Sequence, residues 1–384
     1  MLRRTALFVL PLILVACRST PDYGRPLPRG AAALLELGPL EATPDLRHTW
    51  IDRDELDPAL QRSIAWTDSD YAKQFFPIAG IDHERALTSL RRLREILFDS
   101  PGPSAFQAAI DREFTWYKSA GWDGKGGGVL YTGYCTPILP GAVSASAEYH
   151  HPLYALPPDL KKGPKGKILG QITPAGLVDY PARRTIEANG LLAGKGLELV
   201  WLKDPIDAYI AHVNGSAFIE LKDGSMLRFG YAGKNGREYT SLGKELINDG
   251  HVEAADMNLG AIRAWAKSSP DLINDYLSRN DSYVFFTPID GNPRGSLNVE
   301  VSDKRSLATD KRLFPRGAPV FIDTNLPTAS GSKSPFRRLM FDQDTGGAIR
   351  TAGRADIYLG IGPEAEELAG LVKAEGQLYY LFLR

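Results

Sequence analysis

The chain has 384 residues, 43% of them hydrophobic and 24% charged, with a net charge of -1. That length admits two domains and that composition a sizeable core. Nothing in that charge balance advertises a nucleic-acid partner, which would call for a basic face, while 38 glycines and 27 prolines favour short strands and many turns.

Arg3-Arg4 precede an apolar run from Ala6 to Ala16, the length of a signal-peptide core and too short to span a bilayer. The run ends in Leu14-Val15-Ala16-Cys17, which resembles the bacterial lipobox, whose cysteine is acylated and becomes the mature N-terminus. The competing reading is an ordinary secretory signal with a chance cysteine; the place of Cys17 directly after Val15-Ala16 weighs against it. Arg18, where inner-membrane lipoproteins carry Asp, implies sorting to the outer membrane. Cys135 is the only other cysteine, so acylation of Cys17 leaves no intrachain disulfide. Residues 18–54, with Pro21, Pro26, Pro28 and Gly30, read as a tether.

Helical signals follow. Asp57-Pro58 predicts a capped start with Pro in the first turn. Asp82 predicts a second start, with Ala86, Leu90, Leu93 and Leu97 on one face. Ser104 and Gln107 form a capping-box pattern ahead of Phe106, Ile110 and Phe114. Gly124 to Gly128 is glycine-rich but lacks the Gly-Lys-Ser/Thr ending of a phosphate loop, and leads instead into a strand, Val129 to Thr136. From Pro137 to Leu242 the pattern is β, with Val200-Trp201-Leu202 as a buried strand and a hairpin around Asp223-Gly224. Ser241 and Asp256 cap short helices, and Ser269-Pro270 opens another. Strands resume at Tyr283, Val320 and Leu339. Pro363-Glu364 opens a last helix that stops at Gly376, before a terminal strand from Leu378 to Leu383.

None of the six histidines forms a His-Glu-x-x-His pattern, and His150-His151 are a poor pair for one metal, so neither a metal nor a cofactor is expected. No Gly-x-Ser-x-Gly nucleophile turn exists, and a lone Cys135 reads as a small buried hydrophobe. Carboxylates remain. Asp344-Thr-Gly-Gly-Ala-Ile349 and Asp356-Ile-Tyr-Leu-Gly-Ile-Gly362 suggest two aspartates at strand ends facing a cleft. Gly346 and Gly347 suit positive φ or close approach to a ligand, and Ala348-Ile349 reads as strand. Taken alone, Asp-Thr-Gly-Gly reads more readily as a simple turn.

Several stretches together carry a resemblance: Thr132-Gly-Tyr-Cys-Thr-Pro137, Tyr231-Ala-Gly-Lys-Asn-Gly236 with Tyr239-Thr-Ser-Leu-Gly243, Arg305-Ser-Leu-Ala-Thr-Asp310, and the two aspartate runs. Their order over residues 55–384 resembles the membrane-bound lytic transglycosylase A (MltA) family with its C-terminal three-Asp (3D) domain. The resemblance implies a mainly β fold with flanking helices: a double-psi β-barrel from 55–136 and 243–384, its 3D part at about 283–362, and a second β-barrel domain inserted at 137–242, after a signal peptide at 1–17. It implies a lyase that cleaves the β-1,4 bond between N-acetylmuramic acid and N-acetylglucosamine in peptidoglycan and leaves a 1,6-anhydro end. One carboxyl can serve twice, first as acid and then as base for the sugar's own C6 hydroxyl, with the tethered nucleophile supplying effective molarity.

The family's catalytic Asp aligns with Asp356, expected to be protonated through a partly desolvated cleft and a neighbouring carboxylate. Asp344 is that neighbour or an orienting group, and Asp310 is structural. Thr132, Tyr134, Asn214, Gly215, Ser216, Tyr231, Asn235, Tyr239, Gly346 and Gly347 are the implied groove residues. The family's Gln-Gly-Ser-Gly-Arg run is here Asn214-Gly-Ser-Ala-Phe218, and Cys135 stands where a second tyrosine is common. The implied partners are glycan strands and the periplasmic side of a Gram-negative outer membrane, reached through the lipid; a cell-wall synthesis or division complex is left open, with no nucleic acid and a monomeric state. The competing readings are a hydrolytic muramidase using Asp356 and Asp344, and a wall-binding lipoprotein without turnover.

Overall fold

The computed structural model describes residues 20–254, 256–328 and 331–384. The signal segment and Cys17 lie outside them. The chain is mostly β, with helices packed around its sheets.

Six strands close on one another. Their order is Val129–Thr136, Arg354–Ile361, Ser306–Ala308, Lys333–Asp344, Pro319–Pro327 and Lys373–Leu383, and the last pairs back onto the first. The pairings of Val129–Thr136 with Arg354–Ile361 and of Ser306–Ala308 with Lys333–Asp344 are parallel. Closure leaves no free edge in this ring. Alternation along the strands divides the core. Val320, Ile322, Met340, Ile357, Leu378 and Tyr380 pack together in one cluster. Phe321, Leu339, Phe341 and Leu381, at the intervening positions, meet Leu60, Leu90, Leu93, Phe106 and Ile110 of the helices Arg53–Thr67, His83–Asp99 and Pro103–Glu113. Each such fully buried side chain contributes about 1.5–3 kcal/mol.

The helix at His83 starts as its sequence predicts, with Arg85 N donating to Asp82 Oδ1 at 2.7 Å. Three other boundaries differ. The first long helix begins at Arg53, so Pro58 sits inside it, and Asp57 instead receives Arg94 Nε at 2.6 Å. Gly102 and Pro103 open the third helix, while the Gln107 amide crosses to Pro44 and Leu46. The last helix, Pro363–Leu371, ends before Gly376 because the strand of the closed ring already begins at Lys373. Residues 20–54 are not a free tether either. Leu34–Glu36 pairs antiparallel with Phe114–Ser119, and Leu34 and Leu46 are buried, apolar anchors beyond the proline-rich part.

A second sheet runs Val284–Pro288, Met226–Lys234, Ala217–Glu220, Ile138–Ala142, Glu198–Leu202, His151–Tyr154. A bridge between Ala155 and Phe286 ties its two edges together. The Asp223-Gly224 hairpin forms, with Ala217 level with Phe229. This sheet does not end at 242: its edge strand Val284–Pro288 arrives after the helices Leu242–Asn248, Leu259–Ser268 and Ile273–Ser278, because Phe286 fills the same core as Leu139, Val200 and Ile219. Asn258, not Asp256, caps the second of those helices. The helix Pro205–Asn214, capped by Asp204, was not legible as such; its buried Ala208 and Ala211 pack on the sheet. Among the described residues no helix is long and apolar enough to cross a membrane.

Candidate active site

The Arg354–Ile361 strand alternates in its sequence. Ala355, Ile357 and Leu359 enter the ring's core, which leaves Arg354, Asp356 and Tyr358 on the other face. The parallel neighbour sets Thr132 level with Asp356 and Tyr134 level with Tyr358. On the other side, Ala308 is the register partner of both Asp356 and Asp344. A bulge opposite Leu307–Ala308 skips Gln343, so that Asp344 rather than Gln343 reaches this level. Asp344, Ala308, Asp356 and Thr132 thus form one row across four strands. The two aspartates are two strands apart, about 10 Å between backbones.

Asp356 is the row's chemical centre. Its Oδ1 is buried with no hydrogen-bond partner. Burial raises the carboxyl to a pKa of about 6; the Thr132 hydroxyl and the Arg354 charge pull it back, and the Asp344 charge adds to the rise. Asp344 is fully engaged by contrast. Tyr134 Oη donates to its Oδ2 at 2.8 Å, while Ser296 N and Thr345 N donate to Oδ1, each at 2.7 Å. Burial raises its pKa too, against those three donors. Burial and the Asp344 charge hold the Tyr134 phenol well above its ordinary pKa, so it remains a donor. Tyr134 and Tyr358 rings lie 5.2 Å apart, and Tyr358 Oη, Thr136 Oγ1 and Ser216 Oγ form a hydrogen-bonded chain at 3.1 and 3.0 Å. Beyond Tyr358 lies a cavity of about 550 Å³ lined by Asn292, Asp303, Lys304, Gly360 and Glu364.

The second sheet's unit reaches the row through the end of the Pro205–Asn214 helix. Gly215 takes the left-handed conformation (φ 73°) that ends the helix, and Asn214 Oδ1 accepts from Cys135 N at 3.4 Å. Tyr231 lies beside Gly215 and is 48% exposed. Tyr239 packs on Gly347, where an added Cβ would stand 3.2 Å from the tyrosine's Cβ, and it feels the Asp356 charge. Neither Gly346 nor Gly347 has positive φ, and Ala348-Ile349 is turn rather than strand, since the Lys333–Asp344 strand stops at the aspartate.

Two expected residues stand away from the row. Asn235 is buried with its amide used at both ends, donating to Pro181 O and Asp281 O and accepting from Tyr283 N. Asp310 is fully buried and bound by Arg312, whose Nη2 also holds Arg350 O at 2.9 Å and so braces the loop after Asp344. Cys135 lies on the strand's opposite, buried face, away from the row. Phe218, in the altered run, is buried beneath the Arg228 guanidinium. Arg354, Tyr358, Thr136 and Ser296 were not singled out from the sequence. The Arg-Ala-Asp-Ile-Tyr alternation could have found the first two; Ser296 contributes only a backbone N–H, which no side-chain pattern reports.

Residues 130–287 match the family described as "MltA specific insert domain", and residues 305–382 match the "3D domain". A membrane-bound lytic murein transglycosylase A from Vibrio cholerae is 34% identical over 264 residues, 67% of each chain. The chain belongs to the MltA family. The Escherichia coli K12 member of that name is 35% identical over 260 residues, and the match spans 66% of each chain, about two thirds of the relative's length. A membrane-bound lytic murein transglycosylase from Agrobacterium tumefaciens superposes with a TM-score of 0.75 at 26% identity, covering 92% of this chain and 98% of that one. E. coli MltA with bound chitohexaose gives 0.69 at 25% identity, covering 94% and 95%. The MltA insert match ends at 287, within the edge strand Val284–Pro288 that closes the second sheet.

Proposed function

We propose that the protein is a lytic transglycosylase of peptidoglycan that cleaves the β-1,4 bond between N-acetylmuramic acid and N-acetylglucosamine. The observation that carries this is the Asp356 carboxyl: raised to about 6 by burial, with its Oδ1 buried and unpartnered, in a chain of the MltA family. In its acid form Asp356 gives a proton to the glycosidic oxygen as the C1–O4 bond breaks. The resulting carboxylate takes the proton of the C6 hydroxyl as O6 bonds to C1. Asp356 ends protonated, and no water is consumed. A carboxyl near pKa 6 suits both steps, since neither proton state is far from reach.

Asp344 is an orienting group. Its two oxygens already accept three hydrogen bonds, which argues against a nucleophile and so against the hydrolytic reading. Tyr134, Thr132, Tyr239, Tyr231 and the Asn214–Ser216 turn line the glycan path, with the cavity beyond Tyr358 as its continuation. The closed six-strand ring with two parallel pairings supports a double-psi barrel, and the second sheet with its helices, 137–288, supports an inserted domain. Acylation at Cys17 and a place on the periplasmic side of the outer membrane accord with the relatives' "membrane-bound" names. On purified sacculi, Asp356→Asn should lose turnover while still binding glycan; near-normal turnover by that variant would sink the assignment.

A further inference from the structure

Two buried polar atoms at the row lack a partner, and they belong to residues two apart on one strand: Asp356 Oδ1 and Arg354 Nε. Buried N–H groups are almost always bonded, so each exception asks for an explanation. The mechanism uses the first atom and leaves the second idle. Arg354 does donate through Nη2 to Thr132 Oγ1 at 3.3 Å, the hydroxyl level with Asp356. Its guanidinium otherwise forms no ion pair among the described residues, although burial opposes its charge and only the Asp356 and Tyr239 side chains favour it. A guanidinium is a rigid fork of donors suited to planar oxygen acceptors. Here one tine is bound to Thr132, and another, Nε–H, is buried without a partner, on a residue whose backbone lies about 7 Å along the strand from that of Asp356.

The acceptor therefore comes with the substrate. In the glycan proposed above, hydroxyl and acetamido groups occur on both sugars. Only the muramoyl unit carries a lactyl group, whose carboxyl offers a planar oxygen whether free or joined to a stem peptide. We propose that Arg354 is a specificity-determining residue that donates Nε–H to the lactyl carboxyl of the muramoyl unit beside the scissile bond. This rests on the transglycosylase reading. With the stem peptide removed the group is a carboxylate, and the hydrogen bond is charge-assisted on both sides; with the stem attached it is an amide carbonyl and weaker.

Binding measured by calorimetry separates this claim from turnover. The ligands are peptide-free peptidoglycan glycan and chitohexaose, which has no lactyl group; the proteins are the full chain carrying Asp356→Asn, so that glycan is held without being cleaved, alone and combined with Arg354→Met or Arg354→Lys, and the single Arg354→Met variant is kept for sacculi. Arg354→Met should weaken glycan binding about ten- to hundredfold while chitohexaose binding stays within about twofold, and Arg354→Lys should fall between. Unchanged chitohexaose binding also shows that the variant is folded. With sacculi, KM should rise more than kcat falls. Equal losses on both ligands, or no loss on either, would overturn the assignment. Absence of anhydro ends from the unmodified chain would defeat the transglycosylase reading instead, whatever the binding comparison gives.

Discussion

Asp356 ties its chemistry to pH in two separable ways. In an unfolded chain an aspartate ionises near pH 4 (about 3.9); in the fold this one does so at about 6. Between those values the folded state holds the extra proton, so the residue costs stability increasingly as pH rises, and the cost is complete above about 6. Asp356→Asn should therefore raise Tm at about pH 7.5 and change it little at about pH 4; equal shifts at both would contradict a raised pKa. For the unmodified enzyme, kcat/KM on glycan should fall as pH rises through about 6, because the first step needs the acid form. Tyr134→Phe removes one donor to Asp344 and should lower kcat/KM about tenfold or more, since the neighbouring carboxylate loses its anchor. At this scale Asp356 was legible, because a polar–apolar alternation and a recognisable run coincide on one strand. The Asp344 cradle was not: its donors come from positions 134, 296 and 345, joined only by strand register and a bulge.

At the scale of elements, the caps that worked were those with the flanking chain free to turn. Asp82 lies in extended conformation before its helix and accepts from Arg85 N. Asp82→Ala should cost about 1 kcal/mol in urea unfolding, and Ser104→Ala, inside its helix behind Gly102-Pro103, should cost much less. The Ser104-x-x-Gln107 pattern misled because Gln107 is drawn across to the backbone at Pro44 and Leu46, a contact 61 residues away in sequence. Asp57-Pro58 likewise predicts a start, yet the helix carries Pro58 internally, held by Leu56, Ala59 and Leu60 in the core. Tertiary packing decided both cases over local propensity. Hairpin chemistry at Asp223-Gly224 was stronger and held without such help.

Across the whole molecule, the unit built on the second sheet meets the closed ring at the row, and the ring holds a buried ion pair in its interior. Lys311 and Asp342 pair inside it, with Thr309 and Tyr380 completing the carboxylate's bonds. Lys311→Met leaves Asp342 buried without its cation, and should destabilise the fold by about 3–5 kcal/mol; a loss under about 1 kcal/mol in chemical denaturation would show that the pair is dispensable. The β character of both units could be read from strand periodicity, but the return of Val284–Pro288 to the second sheet could not. That pairing crosses three helices, and nothing in the apolar run Tyr283-Val284-Phe285-Phe286 distinguishes one sheet from the other. The central claim concerns what the two sheets hold between them: a single carboxyl that ends each cleavage with an intramolecular ether and no water. Digestion of sacculi in heavy-oxygen water, read by mass spectrometry of the released ends, tests it most directly. The account predicts ends lighter by one water than reducing ends and free of the heavy isotope. Heavy oxygen at the muramoyl C1 would contradict it.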